Sequence, residues 1–234
     1  MEEIRAAAVT ALNMVLGFDA SLAEIVLLSL QVSLTAVALA TLIGLPLGAA
    51  IAITRFPGRR FLMILMSALM GLPPVVVGLT VYLLLSRSGP LGEFGLLFRP
   101  TAMVIAQCIL VTPIIAALSR QVFRDLCEEY QEQLRSLGAS RIQALRTLLW
   151  EGRNRFLTVV LAGFGRAVAE VGAVLIVGGN IAGETRVMTT TIVLETARGD
   201  LALALALGFV LIFIVLMINA AVYITKDSSE PFAD

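Results

Sequence analysis

Two charged residues stand inside a long apolar stretch, "GRAVAEVGAVLIVGGN" at residues 165–180: Arg166 and Glu170. Four residues apart on a helix, they share a face and can pair. Each alone would cost about 2.5–3.5 kcal/mol at the centre of a membrane-spanning helix, and a hydrogen-bonded pair lowers that cost without removing it. A pair facing lipid would gain nothing from the expense, so it is expected to face the bundle interior or a partner subunit. Its role is open between a structural lock and a charged element beside a substrate route, where Arg166 would attract an anion; a position near the cytoplasmic surface is a third option. Downstream, "NIAGETRVMTTTIVLETARGD" contains Asn180 and the hydroxyl triplet Thr189, Thr190 and Thr191. Hydroxyls and backbone amides can hold an oxyanion without a full counter-charge, so these four are candidates for a gate or an oxyanion contact. A plain loop helix is the simpler alternative.

Other chemistry is excluded. The chain has no histidine, and its two cysteines, Cys108 and Cys127, are isolated. They fit neither a metal site nor a disulfide framework, so no metal site is expected. No GxxxxGK[ST] phosphate loop occurs. The chain therefore reads as a non-enzyme that binds no cofactor, and any ATP and Mg would sit on a separate ATPase chain. Seventeen basic and seventeen acidic residues cancel, leaving no electrostatic footprint for nucleic acid.

The elements that must position these residues are apolar blocks. Ile25 to Ile53 and Phe61 to Leu85 contain no charge, nor do Thr101 to Leu118 and Leu201 to Thr225; Leu157 to Gly179 is interrupted only by Arg166 and Glu170. About 20 apolar residues cross a hydrocarbon core as a helix. The fold class is therefore all-α: a polytopic membrane protein of five transmembrane helices, residues 1–234 forming a single transmembrane domain. Membrane lipid is its first partner. Residues 1–24 lack the basic start of a signal peptide. Apolar residues recur at Ile4, Ala8, Leu12, Val15 and Leu16, which suits a short amphipathic helix at the membrane interface. Gly44, Pro46, Gly71, Pro73, Pro74 and Pro113 mark breaks or kinks inside the spans. Arginines and lysines alternate between sides, eleven on one and five on the other, with Arg5 counted on the poorer side and Arg55, Arg141 and Lys226 on the richer. That bias puts the N-terminus outside and the C-terminus in the cytoplasm.

The most basic loop, residues 119–156, is thus cytoplasmic. Phe123, Leu126, Cys127, Tyr130, Leu134 and Leu137 recur at helical spacing. Gly138 offers a left-handed stop, and Ser140 with Gln143 matches a capping box. Ile142, Leu145, Leu148 and Leu149 would belong to a second helix. The loop reads as a helix–turn–helix projecting from the membrane, which on periodicity alone could also lie on lipid headgroups.

The segment "EQLRSLGASRIQALRTLLW" resembles the EAA motif of ABC importer permeases: Glu132 stands six residues before Gly138, followed by Ala139 and Ser140. "EQL" replaces "EAA", and Leu149-Trp150 stands where Leu-Pro is usual. The resemblance implies a coupling helix, with Glu132, Gly138, Ala139 and Ser140 at the contact with the ATPase. "GLPPVVVGLTVYLLLSRSGPLG" together with "AEVGAVLIVGGNIAGETRVMTTTIVLE" is similar to the permease subunit of tungstate ABC importers. Molybdate and sulfate permeases share Arg166, Glu170, Gly172, Asn180 and Gly183 to Arg186. The resemblance implies a type I importer in a cell inner membrane: a homodimer of permeases, an ATP-binding subunit dimer, and an extracellular or periplasmic substrate-binding protein. The expected cargo is tungstate, with molybdate or sulfate as the alternative. An ion-coupled secondary transporter is the competing class, but no internal repeat supports it.

Overall fold

The computed structural model describes residues 2–17, 19–54 and 56–227, with the side chains of residues 2–7, 141 and 221–227 left aside. The orientation argument from Arg55, and from the side chains of Arg5, Arg141 and Lys226, lies outside the described residues. The described chain is helical, and no strand occurs in it. The helices are α1 (Glu2–Leu16), α2 (Ala20–Ile53), α3 (Arg59–Met70), α4 (Pro74–Leu85), α5 (Pro100–Ser136), α6 (Arg141–Glu151), α7 (Arg153–Val168), α8 (Gly172–Gly178), α9 (Met188–Arg198) and α10 (Leu201–Asp227). One short 3-10 turn, Gly92–Phe94, separates α4 from α5.

Three helices, α2, α5 and α10, are long and apolar enough to cross a membrane. The number becomes five when each of two bent pairs counts as one span: α3 with α4, bent by 101°, and α7 with α8, bent by 58°. The second and fourth apolar blocks are thus broken spans rather than straight helices. Pro73 and Pro74 explain the first break. Pro74 occupies the first turn of α4, where its missing N–H is not needed. Pro46 and Pro113, by contrast, lie within uninterrupted helices. The third block and the first loop helix also differ from expectation, because they are one continuous helix. α5 runs 37 residues, about 55 Å at the helical rise, so it carries the hairpin away from the bundle without a joint.

Small residues set the closest contacts. A Cβ on Gly44 would lie 3.0 Å from the Thr112 carbonyl oxygen, and one on Gly48 would lie 2.7 Å from that of Ala116. Equal steps along both chains mean that α2 and α5 run in parallel, with backbones closer than any side chain permits. Similarly, a Cβ on Gly78 would meet the Ala173 Cα at 2.7 Å, which locks α4 to α8. Around this seam Val77, Val81, Met103, Val174 and Val177 form the main core. Large apolar side chains remain exposed on the outside, among them Leu27, Leu42, Val75, Leu83, Phe213 and Leu216. A soluble protein would bury such a girdle; lipid accommodates it.

α1 packs on α10: Ala11, Met14 and Val15 cluster with Ala206 and Leu207, joined by Leu22 of α2. Of the apolar face expected from spacing, Val15 packs, whereas Leu12 and Leu16 are exposed. At the start of α2 the Asp19 carboxylate accepts from the Ser21 and Leu22 amides. The Ser21 hydroxyl, then the Leu22 and Ser21 N–H groups, hold the Asp19 carboxyl below its ordinary range. This cap is complete above the usual carboxylate range and is lost as pH falls through the lowered value.

Candidate functional site

The region around Arg166 and Glu170 begins with a helix that stops early. α7 ends at Val168, and Ala169, Glu170 and Val171 form the bend before α8. The i,i+4 helical geometry expected of the pair is therefore incorrect, although the contact itself forms. Arg166 Nη1 donates to Glu170 Oε2 at 2.5 Å. The other carboxylate oxygen, Oε1, accepts from the Ala173 N–H at 3.0 Å and so satisfies an orphan donor at the start of α8. Glu170 is 3% exposed and Arg166 31%. Both carboxylate oxygens are engaged within the chain. The bend needs no proline here, because a side chain replaces the interrupted backbone bonding.

The same bend is stitched to its neighbours. Gln107 on α5 donates through Nε2 to the Ala167 carbonyl at 3.1 Å, in the last turn of α7, where that carbonyl also accepts from the Glu170 N–H. Thr189 donates its hydroxyl to the Glu170 carbonyl at 2.8 Å. Ser29 on α2 accepts from the Met188 N–H at 2.7 Å, at the first residue of α9, and passes its own hydrogen to the Ile25 carbonyl. These bonds tie the bend and the start of α9 to α2 and α5, where a membrane interior supplies no water to substitute for them.

The hydroxyl triplet falls on the first turn of α9 and is buried. Thr190 bonds Asn180 Oδ1 at 2.9 Å and the backbone of Val187, and Thr191 donates to the Val187 carbonyl at 2.7 Å. None of the three presents an open donor in this conformation; with Asn180 they hold the α8–α9 connection. Asn180 has φ +51°, a left-handed conformation that asparagine tolerates better than most residues. Thr185 completes the turn, donating to the Gly178 carbonyl at 2.6 Å and accepting from the Ile181 N–H at 3.0 Å. Gln107 and Ser29 escaped the sequence reading, and Thr185 entered it only within the Gly183 to Arg186 pattern, with no role. Their only signal was a polar residue in an apolar block or loop, which does not say what it touches.

At the far end of α5 the hairpin follows local rules. Gly138 has φ +66°; its N–H donates to the Arg135 carbonyl and that of Ala139 to the Leu134 carbonyl, both at 3.0 Å. This is the paired closure of a Schellman turn. Ser140 then caps α6 reciprocally: Gln143 Oε1 accepts from the Ser140 N–H at 2.8 Å, and the Ser140 hydroxyl accepts from the Gln143 N–H at 3.4 Å. Leu148 is buried with Phe123, Leu126 and Phe156 at the hairpin base, which seats α6 against α5 and α7. Glu132, Gly138 and Ser140 are exposed, and Ala139 is half-buried. Leu137 and Ile142, expected on the apolar faces of the two loop helices, are instead 82% and 73% exposed. They flank the turn and make an apolar tip that the other described residues leave uncovered.

Residues 44–233 match the family described as binding-protein-dependent transport system inner membrane component. The chain is 40% identical over 227 residues to the tungstate uptake system permease protein TupB of Peptoclostridium acidaminophilum, covering 97% of this chain and all of that one. It is 40% identical to a probable anion ABC transporter permease protein of Haloferax volcanii, over 85% of this chain and 88% of the other. Identity to the sulfate transport system permease protein CysT of Salmonella typhimurium is 32%, over 68% of this chain and 60% of the relative. Broken apolar spans, a capped helical hairpin and a match across most of the sequence lead to one conclusion: the chain belongs to the inner-membrane permease components of binding-protein-dependent transport systems.

Proposed function

We propose that this chain is the membrane pore of an ATP-driven importer of tungstate, working as a pair of identical permeases with two ATPase subunits and an extracytoplasmic binding protein. The hairpin carries this reading. A Schellman turn and a capping box build a rigid tip that exposes Leu137 and Ile142, and exposed apolar side chains on a rigid element suit a groove on a partner. Glu132, Gly138, Ala139 and Ser140 would lie in that contact, with ATP and Mg held by the ATPase. Closing the two ATPases would draw the two hairpins together, and the uninterrupted α5 would transmit the movement into the bundle. The cavity would turn outward, receive the anion and reset on hydrolysis. In this reading the N-terminus is outside, the hairpin and C-terminus are cytoplasmic, and the Arg166–Glu170 pair keeps the α7–α8 bend intact while the spans rock.

Tungstate follows from the relative matched along nearly the whole chain; sulfate is the second reading, supported by the more distant sulfate permease. The test is uptake by vesicles containing the assembled transporter, with the loaded binding protein outside and ATP inside. Tungstate uptake that requires ATP and is outcompeted by molybdate more than by sulfate is expected. Uptake that persists without ATP and follows an imposed ion gradient would mean a secondary transporter.

A further inference from the structure

Two pockets lie along the inner side of α2, and they differ in what they can hold. One is lined by Ser29, Ser33, Gln107, Glu170 and Thr189 and has a volume of about 10 Å³, at the limit for one water. Its polar groups are mostly committed within the chain, and its single charge is the Glu170 carboxylate, so it is both too small and of the wrong sign for an anion. The other has about 120 Å³ and is lined by Ser21, Glu24, Ile25, Leu28, Ala182, Gly183 and Arg186. It sits between the start of α2 and the α8–α9 connection, at the end of the bundle opposite the hairpin.

Arg186 is the unusual member. Its Nε is buried and has no hydrogen-bond partner, the only atom of a charged group in that state among the described residues. Arg166 and Arg198 each meet a carboxylate, Glu170 and Glu195 respectively; among the described residues Arg186 meets none within ion-pair distance. A guanidinium edge left without an acceptor is costly and is shaped to take two oxygens of one anion. Glu24 lines the same pocket, and a Cβ on Gly183 would lie 3.9 Å from Glu24 Oε1. Gly183, at φ +75°, therefore brings the loop against that carboxylate.

We infer that this outer pocket is a transit site for the free tetrahedral oxyanion, with Arg186 as its receptor and Glu24 as the like charge that keeps it from holding on. The inference rests on the proposed oxyanion import and on the hairpin facing the cytoplasm. An arginine alone in such a pocket would trap a divalent anion; a carboxylate alone would exclude it. Together in one pocket they make capture brief, as a pore requires.

The test uses the complete transporter in vesicles, measuring uptake of tungstate with Arg186→Gln, Arg186→Lys and Glu24→Gln. R186Q is expected to lower uptake roughly tenfold or more, as the loss of a charge-assisted contact implies, and R186K to recover part of it. E24Q is expected to slow maximal uptake while lowering the half-saturating tungstate concentration a few-fold, a split that a merely structural role would not produce. Wild-type uptake by R186Q overturns the inference, and so does an E24Q variant with an unchanged half-saturation. A loss in R186Q matched by an equal loss of affinity for the loaded binding protein also overturns it, because Arg186 would then be a docking residue. If wild-type uptake falls as anionic lipid is added and R186Q is insensitive to the lipid, the pocket holds a lipid phosphate and the inference fails. Wild-type vesicles that carry sulfate and not tungstate overturn the choice of cargo alone; the three variants are then scored with sulfate.

Discussion

The hairpin at residues 132–151 and the bend at residues 166–191 both end a helix and restart another, but by opposite means. The hairpin is built from bonds spanning three to five residues: Gly138 to Arg135, Ala139 to Leu134, Ser140 to Gln143. The bend adds to its local bonds at Glu170 a set between distant parts of the chain: Gln107 to Ala167, Thr189 to Glu170, Ser29 to Met188. Water can satisfy any group the hairpin leaves open, so its polar residues specify shape at little cost. Inside the bundle an open group stays open, so the polar side chains at the bend are committed to specific partners. The exposed turn can be gripped; the buried bend can only be kept whole.

The largest effect should come from cutting the bend. Glu170→Ala leaves Arg166 without its carboxylate and the Ala173 N–H without an acceptor, and is expected to destabilise the detergent-solubilised protein by about 3 kcal/mol or more, read as a fall in thermal midpoint. Replacing both charges, Arg166→Met with Glu170→Leu, should cost less than Glu170→Ala alone, because the stranded charge causes most of the damage. A double variant worse than the single would mean that the pair does more than hold structure.

Next is Ser29→Ala, which strips the Met188 N–H of its acceptor and should cost about 1–2 kcal/mol. Ser140→Ala in the hairpin removes half of a capping box that water can replace, and about 1 kcal/mol is expected. Equal losses at the two serines would remove the distinction between buried and exposed caps.

Gly138 separates shape from contact. A left-handed site costs a side chain roughly 1–2 kcal/mol, and no atom lies near its Cβ position. Gly138→Asn should therefore fold and transport close to normally, because asparagine accepts this φ. Gly138→Arg should lose coupling between ATP hydrolysis and uptake. Equal behaviour of the two in a vesicle assay would argue that nothing seats on the turn. The smallest effect on stability belongs to Leu137→Ser and Ile142→Ser, within about 0.5 kcal/mol. These two should nevertheless weaken co-purification of the ATPase severalfold, and full retention would leave the apolar tip without a partner.

The contrast also accounts for what could be read in advance. Gly138, Ser140 and Gln143 act on neighbours in sequence, so their spacing alone located the turn and both caps. The bend at Pro73 and Pro74 announced itself through missing donors, although not its 101° angle. The bend at Ala169–Val171 carries no proline and looked like continuous helix. Arg166 and Glu170 were recognised as a pair on an incorrect geometry: four residues apart was enough to bring them together, but the chain between them leaves the helix. The hydroxyls of Thr189, Thr190 and Thr191 looked like open donors because their acceptors, on Glu170, Asn180 and Val187, are apparent only once the loop folds back.

The sequence by itself determined that the chain is a bundle of apolar helices with a polar hairpin. Hydrophobic length and local turn chemistry are properties of contiguous residues, and the free energy of removing apolar segments from water depends little on what they touch. Which helices break, where Glu170 spends its two oxygens and why Arg186 is left without an acceptor were decided only in the tertiary structure. In an interior without water a donor that its own segment does not satisfy depends on an acceptor brought by another, and that pairing depends on how the helices approach. Gly44, Gly48 and Gly78 set that approach where they let backbone meet backbone.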